Sequence, residues 1–153
     1  MSGRNHHEKP YDAGTLDKLD LYRGYVEAWL PVFLHQQHIE AINIFDFFAG
    51  PGSDLHGKPC SPKIAFDEVT KALASSKAET IPPIRMYFNE FDPEKHSDLD
   101  SALKALPPAN HVHIEHTCMD FDHAFDKWYP LMKKKRVAKL VLFDKNGVKN
   151  ITE

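Results

Sequence analysis

The stretch Ala41-Ile42-Asn43-Ile44-Phe45-Asp46-Phe47-Phe48-Ala49-Gly50-Pro51-Gly52 decides the fold. Its first eight residues are mostly apolar, β-branched or aromatic, too few for a helix of their own, and they run straight into Gly-Pro-Gly. That combination reads as a strand buried on both faces and ended by a sharp turn. Gly50 and Gly52 carry no Cβ, so the backbone there is free to turn tightly and to approach a ligand closely. A plain tight turn satisfies the same residues, and the position directly after a buried strand is what favours a ligand loop.

On the C-terminal side of this loop, Ser61-Pro62 opens a helix. Ser61 is expected to accept from the first free backbone N–H groups, and Ala65, Phe66, Val69, Ala72 and Leu73 form its apolar face. Pro82-Pro83 closes the connection, and Ile84 to Asn89 reads as a second strand ending at Glu90. Asp92-Pro93 starts the next helix, with Leu99, Ala102, Leu103 and Leu106 inward and Pro107-Pro108 as its stop. His111 to Thr117 alternates apolar with polar and therefore reads as an edge strand, whereas the other three strands read as buried on both faces. After Asp120-Phe121-Asp122 a helix carries Phe125, Trp128, Tyr129 and Met132, and Ala138 to Phe143 makes the last strand before Asp144.

On the N-terminal side, Leu19, Tyr22, Val26, Trp29 and Phe33 recur at helical spacing. Gly24 weakens that helix, and Pro31, which lacks an N–H and clashes with the preceding turn, is expected to kink or stop it near Leu30. Residues 1–15 are polar, His-rich and contain Pro10 and Gly14, so they read as a flexible leader to a domain over 16–153.

Strands separated by helices cannot be hairpins, so they run parallel with right-handed crossovers. The predicted fold class is α/β, Rossmann-like, with about four strands, helices on both faces and an N-terminal helix. The chain has 153 residues, 42% of them hydrophobic, which is enough for one domain with a real core. A net charge of -3 gives no strong field toward nucleic acid, and Lys133-Lys134-Lys135-Arg136 reads as the solvated end of a helix. Two cysteines and a polar start fit a reducing cytoplasm, and no apolar run approaches the roughly 20 residues that cross a bilayer.

In an open parallel sheet, ligands bind beyond the carboxyl ends of the strands. Here those ends are residues 46–52, 90–92, 118–122 and 144–147, each with at least one carboxylate. Glu90 is placed to accept from two ribose hydroxyls. A nicotinamide dinucleotide fits poorly, because Leu55 stands where its fingerprint needs a third glycine and Glu90 comes much later than the roughly 20 residues that fingerprint allows. His111 and His113 point to one face of their strand and His116 and Cys118 to the other, so no metal site is expected. His56 and Cys60 read as loop surface. Phe45, Phe47, Phe48, Tyr87 and Phe88 read as core, with Phe48 or Phe91 able to touch an adenine.

Asp46-Phe-Phe-Ala-Gly-Pro-Gly52, the Ser61-Pro62 helix start, Phe88-Asn-Glu90-Phe-Asp92-Pro93, Phe143-Asp144 with Gly147, and the helix around Lys18, Tyr25 and Trp29 resemble the three-Cys-motif partner proteins, a prokaryotic group with a class I methyltransferase-like fold. The resemblance runs from about Thr15 to the last residue. It implies S-adenosylmethionine as cofactor, with Asp46, Gly50 and Gly52 around its methionine end, Glu90 on the ribose and Asp120 facing the adenine. Phe48 joins this cofactor set, and Asp144 is the candidate catalytic position. The methyl acceptor is unknown.

Two departures bear on activity. Asp144-Lys145-Asn146-Gly147 stands where the family has Asp-Pro-Phe-Gly, and the chain ends at Glu153, whereas class I methyltransferases continue with three more strands. The fourth strand is therefore expected to be an apolar edge, covered by a protein partner, a second copy or a separately encoded half. The alternatives to a methyltransferase are a non-catalytic interaction module of a multi-gene system and another nucleotide-binding enzyme on the same fold.

Overall fold

The computed structural model describes residues 13–53 and 57–144, with side chains from Lys18 onward. His56, Lys145, Asn146, Gly147 and the first 12 residues lie outside the described residues. Element order is α1 (Ala13–Leu34), β1 (Ala41–Asp46), α2 (Ser61–Ser75), β2 (Ile84–Asn89), α3 (Pro93–Lys104), β3 (Val112–Thr117), α4 (Phe121–Met132) and β4 (Val137–Leu142). The four strands form one parallel sheet in the order β3-β2-β1-β4. This is the Rossmann-like α/β arrangement read from the sequence. Among the described residues no helix is long and apolar enough to cross a membrane.

Strand alternation sorts the core into two layers. Ile44 is in register with Met86 on one side and Leu140 on the other, and Met86 with Ile114. This face packs against Tyr22, Val26, Leu30 and Leu34 of α1, Ile64, Ala65, Phe66 and Val69 of α2, and Leu99 of α3. The opposite face presents Phe45 and Tyr87 to Ala124 and Trp128 of α4. Rings dominate there: Trp128 lies 6.1 Å from Phe45, 5.5 Å from Phe47 and 5.4 Å from Tyr87, and its indole N–H donates to Glu115 at 3.2 Å. Three helices thus cover one face and α4 covers the other.

β1 is buried along its whole length and β2 at all but Arg85. β3 is an edge strand, as its alternation predicts. β4, however, buries only Ala138 and Leu140 fully. The expectation that it is sealed on both faces is corrected by its place: it pairs with β1 alone among the described residues, and the layers thin out toward an edge.

Helix α1 starts at Ala13, inside the stretch assigned to the leader, and it passes through Pro31 to end at Leu34. Pro31 removes one bond, to the Glu27 carbonyl, but its ring sits on the exposed side. Leu30 and Leu34, at 0% and 2% exposure, are buried on the other side, and that packing outweighs the local penalty. Pro31→Ala restores the bond, so we expect it to raise the unfolding free energy by about 1 to 3 kcal/mol, read by urea denaturation. An unchanged midpoint would mean that the helix already bends around the missing bond without cost.

Candidate site at the carboxyl rim of the sheet

The strand order creates a switch point. From β1 the chain moves outward on one side through β2 to β3, then returns to place β4 on the other side of β1. The crossover after β1, through α2, lies on one face of the sheet and the crossover into β4, through α4, on the other, so the winding reverses between β1 and β4, and ligands of open α/β sheets bind beyond the carboxyl ends of the strands at such a point. Residues 46–52 and 143–144 flank it.

The loop after β1 is held from three sides. Asp46 Oδ1 accepts from the Phe48 N–H at 3.2 Å, and its Oδ2 accepts from the Ser61 hydroxyl at the head of α2. The Gly50 N–H donates to Glu90 Oε1 at 2.9 Å, while Glu90 Oε2 accepts from the Asp92 N–H at 2.9 Å. The Gly52 carbonyl accepts from the Cys60 N–H at 2.9 Å. Gly50 has φ 76° and Gly52 φ 102°, conformations that side chains strongly disfavour. A Cβ on Gly52 would also meet the Cβ of Ala102 in α3 at 2.7 Å. Gly52 thus serves helix packing as well as the turn.

Ser61 does not cap α2 as expected. Cys60 holds the N-cap position and gives no side-chain cap, Pro62 follows in the first turn, and the Ser61 hydroxyl turns inward to Asp46. A buried carboxylate without a donor is far costlier than an uncapped helix end, which decides where the hydroxyl goes.

Asn89, which the sequence presents only as the last residue of a strand, organises the rim. It is 1% exposed. Its amide nitrogen donates to the Met119 carbonyl at 2.9 Å and the Phe47 carbonyl at 3.4 Å, and its oxygen accepts from the Thr117 hydroxyl at 2.8 Å and the Met119 N–H at 3.2 Å. One amide therefore ties the ends of β1, β2 and β3 together. These partners all lie far along the chain, so no local signal announces this role.

Three of the predicted acidic residues come together. Asp46 is 1% exposed, and the charges of Asp144 and Glu90 both act on it. Burial is the main cause that pushes its carboxyl up to about 7; the bonds from Ser61 and Phe48 oppose the rise, and Asp144 and Glu90 add to it. Asp144 lies 3.8 Å from the Lys18 ammonium of α1. Asp120 stands apart, at the head of α4 on the other face of the sheet. Its carboxylate accepts from the His123 N–H at 2.9 Å and pairs with the His123 ring at 2.7 Å, which hold it below the usual carboxylate range. Phe48 is half-buried and stacks on Phe121 at 5.5 Å, and Phe91 is 66% exposed.

His116 joins His96 at 2.9 Å and Asp100 at 3.2 Å, both on α3, while Cys118 contacts the Phe91 carbonyl at 3.5 Å. Among the described residues no three His, Cys, Asp or Glu side chains are gathered as a metal-binding set.

No protein-family model and no curated protein sequence matches the chain.

Proposed function

We propose that this chain binds S-adenosylmethionine at the loop of residues 46–52 and serves as a methyltransferase-like domain. One observation carries the reading: the charges of Glu90, after β2, and Asp144, after β4, both act on Asp46 at the end of β1, and the tight glycine turn follows Asp46 on the same rim of the sheet. A carboxylate-rich rim attracts a cation and repels a diphosphate. This favours a sulfonium bearing an ammonium group over nicotinamide dinucleotides and nucleoside phosphates. The resemblance to the three-Cys-motif partner proteins, carried by the same loop and by Glu90, points to the same ligand.

The residues fit that group in part through spare capacity. Each Glu90 oxygen accepts one backbone N–H, and a carboxylate has about four acceptor sites, so two remain for ribose hydroxyls. Asp46 acts on the ligand through its field while shaping the loop with its hydrogen bonds. Asp120 is engaged as a helix cap, so its place beside the adenine requires that His123 share it. When bound, the cofactor supplies an activated methyl group on a sulfonium. The protein's part in such a transfer is alignment and exclusion of water, for which no nucleophile or general base is required.

Calorimetric titration with S-adenosylmethionine and S-adenosylhomocysteine tests the reading, alongside Gly50→Val, which puts a β-branched side chain at φ 76°. Micromolar binding by the wild type and at least a hundredfold loss in the variant are the expected results. Absence of binding by the folded wild type would reject the reading. The interaction-module alternative would then lead. It has its own support: β4 has one unpaired edge among the described residues, and Phe143 and Tyr129 are exposed at 42% and 45%.

A further inference from the structure

Tyr22 of α1 presents a buried hydroxyl with no hydrogen-bond partner among the described residues. The residue is 9% exposed, on the face of α1 that packs against the sheet. One helical turn earlier, Lys18 reaches Asp144, so this part of α1 lies over the ends of β1 and β4. The negative charge of Asp46 acts on the Tyr22 phenol and, with burial as the larger cause, keeps it protonated.

Native structures leave very few buried polar groups unpaired, and an unpaired one costs on the order of 1–3 kcal/mol. The group that fits here is constrained by charge. Asp46 bears on the same place, Glu90 and Asp144 bear on Asp46, and the Ser61 hydroxyl and Phe48 N–H are its neutral hydrogen-bond donors. An anion would be repelled by these carboxylates. A cation with N–H donors would satisfy the Tyr22 oxygen and relieve the desolvated Asp46 at once.

We propose that the Tyr22 hydroxyl is a binding residue of the rim site, accepting a hydrogen bond from the ammonium of an amino-acid moiety on the ligand beside Asp46. The inference rests on the adenosyl-ligand reading above and deepens it: it names the part of the ligand that α1 recognises. It also gives α1 a role in ligand selection, because an adenosyl thioether without the amino-acid moiety gains nothing from Tyr22.

The test compares S-adenosylhomocysteine with 5′-methylthioadenosine, which lacks the ammonium and carboxylate, on the wild type and on Tyr22→Phe. The variant keeps the ring and removes only the hydroxyl, and thermal denaturation checks its fold. A hydrogen bond to a charged donor predicts about a tenfold weaker binding of S-adenosylhomocysteine by the variant, with 5′-methylthioadenosine changed less than about twofold. Equal changes for both compounds, or none, would overturn the assignment of Tyr22 and leave a bound water as the partner of its hydroxyl, with the adenosyl reading intact. Failure of both compounds to bind the folded wild type would overturn that reading and this inference together.

Discussion

Gly52→Ala is expected to lower the unfolding free energy by about 2 to 4 kcal/mol, one of the largest effects of any single methyl group in this chain. Two costs add. The first is backbone strain, because φ 102° is a conformation that a side chain strongly resists. The second is contact: the new Cβ would stand 2.7 Å from the Cβ of Ala102, which has no rotamer by which to move away. Either α3 retreats or the loop does. A shift of the loop pulls on the Cys60 N–H bond to the Gly52 carbonyl, and through it on the start of α2 and on Ser61. The two costs separate in a double-mutant cycle with Ala102→Gly. That change alone costs about 1 kcal/mol as a glycine in a helix, but combined with Gly52→Ala it removes the contact and leaves only the strain. The double variant should therefore be more stable than the sum of the single losses predicts. Simple additivity in urea denaturation would show that α3 tolerates the methyl group and that the strain alone matters.

The elements were legible in this sequence because each carries its own local signal. Ile84 to Asn89 is a β-branched and aromatic run bounded by prolines and Glu90, and it forms a strand at those limits. Asp92-Pro93 starts α3, with the Asp92 carboxylate accepting from the Glu94 and Lys95 N–H groups. What the sequence left open depends on partners distant along the chain. Nothing in Val137 to Leu142 says that it pairs with β1 rather than β3, yet that choice makes the switch point. Ser61 has the composition of a helix cap, and only the approach of Asp46, 15 residues earlier, turns its hydroxyl inward. Tyr22 reads as one more ring in an apolar stripe, and its oxygen, unpaired among the described residues, emerges only when α1 lies over the ends of β1 and β4. At Asp120 the sequence predicts the rim position, and the structure adds that the carboxylate caps α4. Pro31 shows the same principle in reverse: a strong local breaker is overridden by the buried leucines on either side of it.

Asp46→Asn should make the protein more stable above neutral pH and at the same time weaken ligand binding. The sign follows from proton counting. The folded protein holds the Asp46 proton up to a pH of about 7, because burial disfavours the charge, whereas the unfolded chain loses it near the ordinary value of 3.8. Between these values the native state binds more protons than the unfolded state, so stability falls as pH rises through this window and the loss is complete above about 7. That difference corresponds to at most about 4 kcal/mol. Asparagine keeps the local bonds, since its oxygen can accept from the Phe48 N–H and its nitrogen can donate to the Ser61 oxygen, but it carries no charge to desolvate. Unfolding free energies measured from about pH 4.5 to 8 should therefore diverge, the variant gaining on the wild type as pH rises. Parallel curves would mean that Asp46 is ionised throughout in the folded state.

The same carboxylate links ligand to proton. A cationic ligand stabilises the ionised form, so binding below a pH of about 7 should release a proton from Asp46, and affinity should rise with pH until that proton is already gone. S-adenosylmethionine carries the sulfonium charge that S-adenosylhomocysteine lacks, so it should release the larger fraction of a proton. Calorimetry at about pH 6 in two buffers of different ionisation enthalpy measures this release directly. In Asp46→Asn the release should vanish for both ligands, and the binding that remains should be independent of pH across this window. A release that persists in the variant would move the linked proton to another group. The rim would then owe its raised carboxyl to packing alone, with no part of it coupled to the ligand.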